Sequence, residues 1–401
     1  MPPRLEVATP RPSPPENHVH LVLHTMVDGT QFYLEIPVSV ITANCLKPLK
    51  YLKYLGWCIL AIEGVLRLER DKLAGEEVPD MNGQLQGKVY FYSLSNNVAV
   101  DLGVIKARTS TSSSEISGTR AQFRKDLLAR DGRCIFTQFP AAAAAHIIPY
   151  ARGDQWLQLL INNRPHEDED EIEKLESICD IRNGCILMGA IHDEAFDPRL
   201  AAILKTPNRI LQMADIPPRH HRSNALTPNT GYPSDARFTY QWLDYGRMTN
   251  PEITTLMPNN NDATFLIETE PAGLSKPSDL LLHYNYGAAA VKRWGRNTMI
   301  LQETATARRP PQPMPASMHP GYKKSDRTIA IEKRARARGE QPNEGAGPSG
   351  AQGGATDNDW DEDDVMLYFW GNTPVAMERH ARKEKERRDY IEQWQASTVA
   401  N

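Results

Sequence analysis

The chain is poor in the features that most readily assign a function. Its 401 residues hold five cysteines, Cys45, Cys58, Cys134, Cys179 and Cys185, too few and too scattered for a disulfide framework. No two stand in a C-x-x-C pair, so no zinc ribbon or knuckle is written in the sequence. Reduced thiols and an intracellular location, nuclear or cytoplasmic, follow as expectations. Excess positive charge is also missing. There are 46 Lys and Arg against 50 Asp and Glu, a formal net charge of -4, so any nucleic-acid contact must come from local basic patches. Residues 1–17 carry prolines and no apolar run, which excludes the reading of a secretory signal. The most apolar stretch, Tyr54 to Leu66, is short and interrupted by Glu63, so no membrane partner is expected.

What is present divides the chain unevenly. Of the 30 prolines, six fall in 1–17 and eight in 304–401, and these stretches, poor in large apolar residues, predict a disordered tail over 1–17 and a mostly disordered tail over 304–401. Between them the pattern predicts an α+β protein. A small N-terminal α+β unit spans 18–105, beginning with a hairpin around Asp28-Gly29. Apolar residues from Leu46 to Leu66 predict one or two helices over 43–68, and Lys88 to Leu94 reads as a strand. A linker at 106–118, containing the run Thr109 to Ser114, leads to a second domain at 119–303 with its core at 120–215. Pro228 to Leu256 is turn-rich and aromatic and should pack on that core. Lys276 to Gln302 predicts a helix closing it. The C-terminal tail holds an acidic then aromatic segment at 357–370 and a charged helix at 378–394, a pattern suited to a protein partner. The basic run Lys333 to Arg338 is a candidate for binding nucleic acid by charge alone or for nuclear import.

Chemistry concentrates in one split pattern. Cys134-Ile-Phe-Thr137 comes first, then Ala145-His146-Ile-Ile-Pro149, then Arg182-Asn183-Gly184, then Ile191-His192-Asp193, with Asp197 just beyond. Proline at 149 ends an apolar strand with His146 near its last position. An Asn-Gly step at 183 favours a tight turn. Phosphodiester hydrolysis needs an activated water, a cation on the phosphate oxygens and stabilisation of the leaving oxygen. A histidine titrating near neutrality suits the first need, and a divalent cation with open positions suits the others.

This arrangement resembles the HNH nucleases, whose core is two strands and a helix around one divalent metal. The resemblance implies a central ββα-metal core with helical surroundings. His146 would be the general base, and Asn183 would hold the loop that positions it. His192 would be the metal ligand, with Asp193 and Asp197 as candidate co-ligands. Cys134 and Thr137 would open the first strand as structural residues. The implied ion is Mg²⁺, with Mn²⁺, Ni²⁺ and Zn²⁺ as alternatives, and the implied substrate is DNA held by its backbone. Arg124, Lys125, Arg130 and Arg133 are the candidate phosphate contacts. The chain also looks like a group of fungal HNH-domain proteins, through Phe123 to Gly132, His146-Ile-Ile-Pro149 with Gly153-Asp154, Lys205-Thr-Pro-Asn208, and Leu282-His-Tyr-Asn-Tyr-Gly287 with Trp294-Gly295.

The pattern departs from the family at four places, one being Ala141 to Ala144, where an acidic residue often stands. Many members place a second ligand just before the base, where this chain has Ala145. The usual Thr-Gly is Thr137-Gln138 here. An acidic insert, His166 to Glu176, follows the strand and would repel a DNA backbone if it faced the site. Two readings therefore stand: a metal-dependent endonuclease, or an inactive HNH scaffold whose tail binds a protein partner.

Overall fold

A valine-, leucine- and tyrosine-rich N-terminal sequence builds the largest sheet. Strands β1 (His18–Thr25) and β2 (Gln31–Pro37) form the expected hairpin, with Gly29 at φ +85° in the turn. Helices α1 (Val38–Asn44) and α2 (Pro48–Leu60) follow. Pro48 sits in the first turn of α2, where its missing N–H costs nothing. The helical expectation over 43–68 is corrected at its C-terminal end. Ala61, at φ +61°, stops α2, and Leu66 belongs to strand β3 (Val65–Arg70), which pairs with β4 (Leu73–Glu77). The apolar spacing runs on past Leu60, but a left-handed residue followed two positions later by Glu63-Gly64 turns the chain into extended backbone. Strand β5 (Val89–Ser93) lies where expected, parallel to β1 and antiparallel to β3.

The computed structural model describes residues 10–26, 28–70, 73–94, 117–140, 142–164, 175–219, 228–248, 250–266 and 275–301, and beyond them Val365, Met366, Phe369, Glu378, Ala381, Arg382 and Lys385. The expected linker at 106–118, except its last two residues, which begin a helix, the acidic residues at 167–173 of the insert, the basic run 333–338 and most of the two tails lie outside these residues. The fold class is α+β, as the sequence predicts.

The second half begins with α3 (Ser117–Asp131) and continues into β6 (Ala142–His146), α4 (Gly153–Asn163), β7 (Gly184–Met188) and α5 (Gly189–Ile191). Strands β6 and β7 are antiparallel, with His146 opposite Gly184 and Ala145 opposite Cys185. A three-stranded sheet stands beside them. Its centre is β10 (Arg237–Trp242), in the stretch read from sequence as turn-rich, flanked by β8 (Ala201–Thr206) and by β11 (Asn261–Asp262). Short strands β9 (Thr230–Gly231) and β12 (Phe265–Leu266) pair with each other, and α6 (Pro251–Leu256) lies between β10 and β11 in the chain.

Helix α7 (Asp279–Trp294) is central to the packing. Every residue from Leu280 to Val291 is buried, and a helix apolar all round must be covered on all sides. It packs against α2 on one side and β8 on another. Sequence predicts it as a closing element; the structure puts it in the middle. Beyond it, β13 (Gly295–Arg296) pairs with β2 and becomes the edge of the N-terminal sheet, whose strand order is β13-β2-β1-β5-β3-β4. No helix among the described residues is long and apolar enough to cross a membrane.

Candidate active site

The site is assembled on the β6–β7 hairpin and the turn after α5. Three devices hold that hairpin. The first is a knuckle at Cys134–Gln138, in which the Gln138 N–H donates to the Cys134 carbonyl at 2.9 Å and the Ile135 N–H to the Ile186 carbonyl of β7 at 3.0 Å. Cys134 and Thr137 thus lie in a turn ahead of the strand, which corrects the expectation that they open it. Gln138 takes the left-handed φ of +61° that a glycine would hold at no steric cost. Its amide offsets part of that strain by donating to Thr264 Oγ1 at 2.7 Å.

The second device is a buried ion pair. Arg130 is 1% exposed, and its Nε lies 2.6 Å from Asp131 Oδ1. The other guanidinium N–H groups donate to the carbonyls of Ile181, Gly184 and Ser275, while Asp131 Oδ2 accepts from the Ile186 N–H. Burying such a pair is tolerable only when every remaining donor is matched, as here. Arg130 is therefore a structural residue and is withdrawn from the expected phosphate contacts.

The third device is Asn183, fully buried. Its Oδ1 accepts from the Ile148 N–H at 2.8 Å, its Nδ2 donates to the carbonyls of Ile148 and Ile178, and its own carbonyl accepts from the Ile147 N–H. Both residues after His146 are thereby locked to one residue, Ile147 through the Asn183 backbone carbonyl and Ile148 through its side chain. Gly184 is not the left-handed residue of a tight turn. Its φ is -161°, and a Cβ there would lie 2.4 Å from Phe123 Cζ and 2.8 Å from the Ala145 carbonyl oxygen. Close packing of α3 on the hairpin demands the glycine. Asn285 of α7 adds a fourth tie, donating to the Ile147 carbonyl at 2.9 Å.

His146 ends β6 with its ring stacked on Phe123, centroids 4.1 Å apart and planes inclined by 19°. Burial pushes its imidazole down to about 4, helped by the positive charges of Arg120 and His192. It is neutral at physiological pH and able to accept a proton. Cys179 Sγ stands 4.0 Å from its Nε2.

His192 opens a π turn, His192–Phe196, that continues α5. Its Nε2 lies 3.2 Å from Asp197 Oδ1 and its Nδ1 2.6 Å from Asp193 Oδ1. In an α-helix residue i+5 would sit about 140° round the axis from residue i. The wider turn, closed by the Asp197 N–H donating to the His192 carbonyl at 2.9 Å, puts both on one face. The hydrogen bond to Asp197, with a further one to Asp193, holds the His192 imidazole above its ordinary pKa. The ligand atoms of these three residues fall within 4.8 Å of one another, and both carboxylates are exposed. Nε2 and Asp197 Oδ1 are spaced as two neighbouring ligands of one divalent cation would be. Asp193 is placed on the opposite ring nitrogen, where carboxylates orient metal-bound histidines. The residues present fit a divalent ion that keeps several waters.

One cleft of about 820 Å³ joins these groups. It is lined by His146, His192 and Asp197, by Ala142 to Ala144 along β6, and by Arg120 and Arg124 of α3. Arg120 lies 3.7 Å over the Tyr150 ring, and Arg124 reaches the Ala142 carbonyl at 3.3 Å. Among the described residues neither has a carboxylate partner. Lys125 and Arg133 are exposed but do not line the cleft. Ala145 is fully buried on the other face of β6, so that position offers nothing to a metal. Sequence reasoning missed Arg120, Tyr150, Phe123 and Asn285. Four-residue spacing on α3 would have paired Arg120 with Arg124, had the helix been read first.

Residues 134–204 match the HNH endonuclease family. The matched segment runs from the knuckle through both strands and the π turn into β8, so the chain carries an HNH endonuclease-type domain embedded in a larger fold. That domain points to a nuclease-type function and to nucleic-acid binding. No curated protein and no solved structure matches the chain.

Proposed function

We propose that the domain is a metal-dependent endonuclease that hydrolyses DNA phosphodiester bonds. The observation carrying this reading is the shared cleft: a neutral His146, the His192–Asp197 pair and two arginines without a carboxylate partner among the described residues all line it. His146 takes the proton of the attacking water. His192 and Asp197 hold the divalent ion, Mg²⁺ before Mn²⁺, Ni²⁺ or Zn²⁺, and Asp193 fixes the His192 ring. When bound, that ion supplies positive charge for the phosphate oxygens and the leaving oxygen. Asn183 keeps the residues after His146 in place. Arg120 and Arg124 contact flanking phosphates, and Lys125 adds charge nearby. Backbone contacts of this kind position DNA without reading its sequence.

Ala145 favours a second reading, an HNH scaffold that retains the hairpin and binds a partner without cleaving. The test is plasmid nicking by the full chain with each metal or with EDTA, beside His146→Ala. Metal-dependent nicking that the variant lacks supports the endonuclease. A folded protein that nicks with none of the metals leaves the scaffold.

A further inference from the structure

Three apolar side chains from the C-terminal part of the chain are inside the core. Val365 and Met366 are fully buried and Phe369 is 4% exposed, all within the main hydrophobic cluster. The backbone is helical at these positions, and the spacing i, i+1, i+4 puts the three on one helix face. Their seat is formed by α7, α2 and the β1–β2 hairpin. The Phe369 ring packs against Phe32 of β2 at 5.8 Å and His24 of β1 at 6.4 Å. Met366 Cε occupies the space left by Gly287 of α7, 2.9 Å from where a Cβ would stand, and the same Cβ would meet the Cys58 carbonyl of α2 at 2.7 Å. A glycine in the middle of a buried helix is costly unless something needs its space. Here α2 and Met366 both do.

We propose that the groove between β1–β2, α2 and α7 is a docking site whose occupant is the chain's own C-terminal part, seated in cis through Val365, Met366 and Phe369. Loop-closure cost grows only slowly with the length of the intervening chain, so the distance in sequence from α7 is no obstacle. The apolar residues that looked suited to an outside partner are thereby engaged within the chain.

The test uses the full-length protein. Met366→Asp with Phe369→Asp should lower Tm by roughly 5–10 °C, the scale expected when two core side chains are lost from a chain of this size. Met366→Leu with Phe369→Leu should stay near the wild type. A synthetic peptide of residues 360–373 should raise the Tm of the Asp variant saturably, by mass action on the emptied groove. An Asp variant that melts within about 1 °C of the wild type overturns the proposal, as does a folded variant whose Tm the peptide leaves unmoved. If the Asp variant does not fold, hydrogen exchange on the wild type decides. Protected amides at 365–369 support docking, and exchange at the unprotected rate overturns it. A wild-type Tm that rises with protein concentration would mean exchange between copies, and would overturn seating in cis.

Discussion

His192 Nε2 stands 3.2 Å from Asp197 Oδ1 because a single π turn separates them. That pair is the nearest approach in this site to two metal ligands, and its neighbour Asp193 is bonded to the other ring nitrogen.

The two aspartates should therefore differ in their effect on metal affinity. Asp193→Asn, which removes a ring-orienting partner, should weaken binding about 10- to 100-fold. Asp197→Asn, which removes a direct ligand, should weaken it more. Calorimetric titration with Mn²⁺ measures both. An Asp197→Asn protein that binds as tightly as the wild type would remove Asp197 from the ligand set.

His146→Ala should reduce cleavage by roughly 10²- to 10⁴-fold, the contribution of a well-placed general base. Metal and DNA affinity should hold, because the side chain touches neither ligand pair. Single-turnover rates alongside metal and DNA titrations check this. Equal losses in binding and rate would point to a collapsed site instead.

The pH profile should lack a limb at the ordinary histidine value from His146. Its imidazole is pushed down from 6.5 to about 4, so it stays an available base through mild acid. The sign for stability follows from linkage. Between 6.5 and about 4 the unfolded chain takes up a proton at this residue that the native state does not, so its contribution falls as pH falls through that window. Metal affinity should also decline toward acid, since a ligating imidazole must be deprotonated. Histidine-resolved NMR titration locates the His146 step, and a value near 6.5 would refute its burial.

The arginines should separate into two groups. Arg130→Ala leaves Asp131 buried without its partner and should cost about 3–5 kcal/mol of stability. Arg120→Ala and Arg124→Ala should leave Tm almost unchanged, and each should reduce the slope of log DNA affinity against log salt by about 1. Thermal melts and binding isotherms at several salt concentrations make the division visible. Equal salt slopes for wild type and Arg120→Ala would take Arg120 out of the DNA contacts.

Much of the site is legible from local chemistry. Pro149 after an apolar run marks where His146 ends a strand, and Asp28-Gly29 marks a hairpin, because turn and strand-end signals act over a few residues. The spacing from Asn183 to His192 likewise allows one strand and a short helical turn, which is what the chain forms. The rest depends on partners distant in sequence. Arg130 looks from sequence like Arg124, yet it is buried because its guanidinium finds Asp131 and three carbonyls from segments that only the folded chain brings together. Asp197 reaches His192 through i→i+5 hydrogen bonding, which a 3.6-residue periodicity cannot register. Leu66 continues a helical spacing but belongs to β3, where pairing with β5 outweighs propensity.

The sequence by itself determined that this protein is α+β and that an HNH-type pattern runs through His146, Asn183 and His192, since both are encoded in short local signals along the chain. Only the tertiary structure decided which carboxylate joins His192, which arginines face the cleft, that α7 is central, and that Val365, Met366 and Phe369 complete the core. Those outcomes depend on long-range packing and on the matching of buried donors and acceptors, and no stretch of chain specifies them alone.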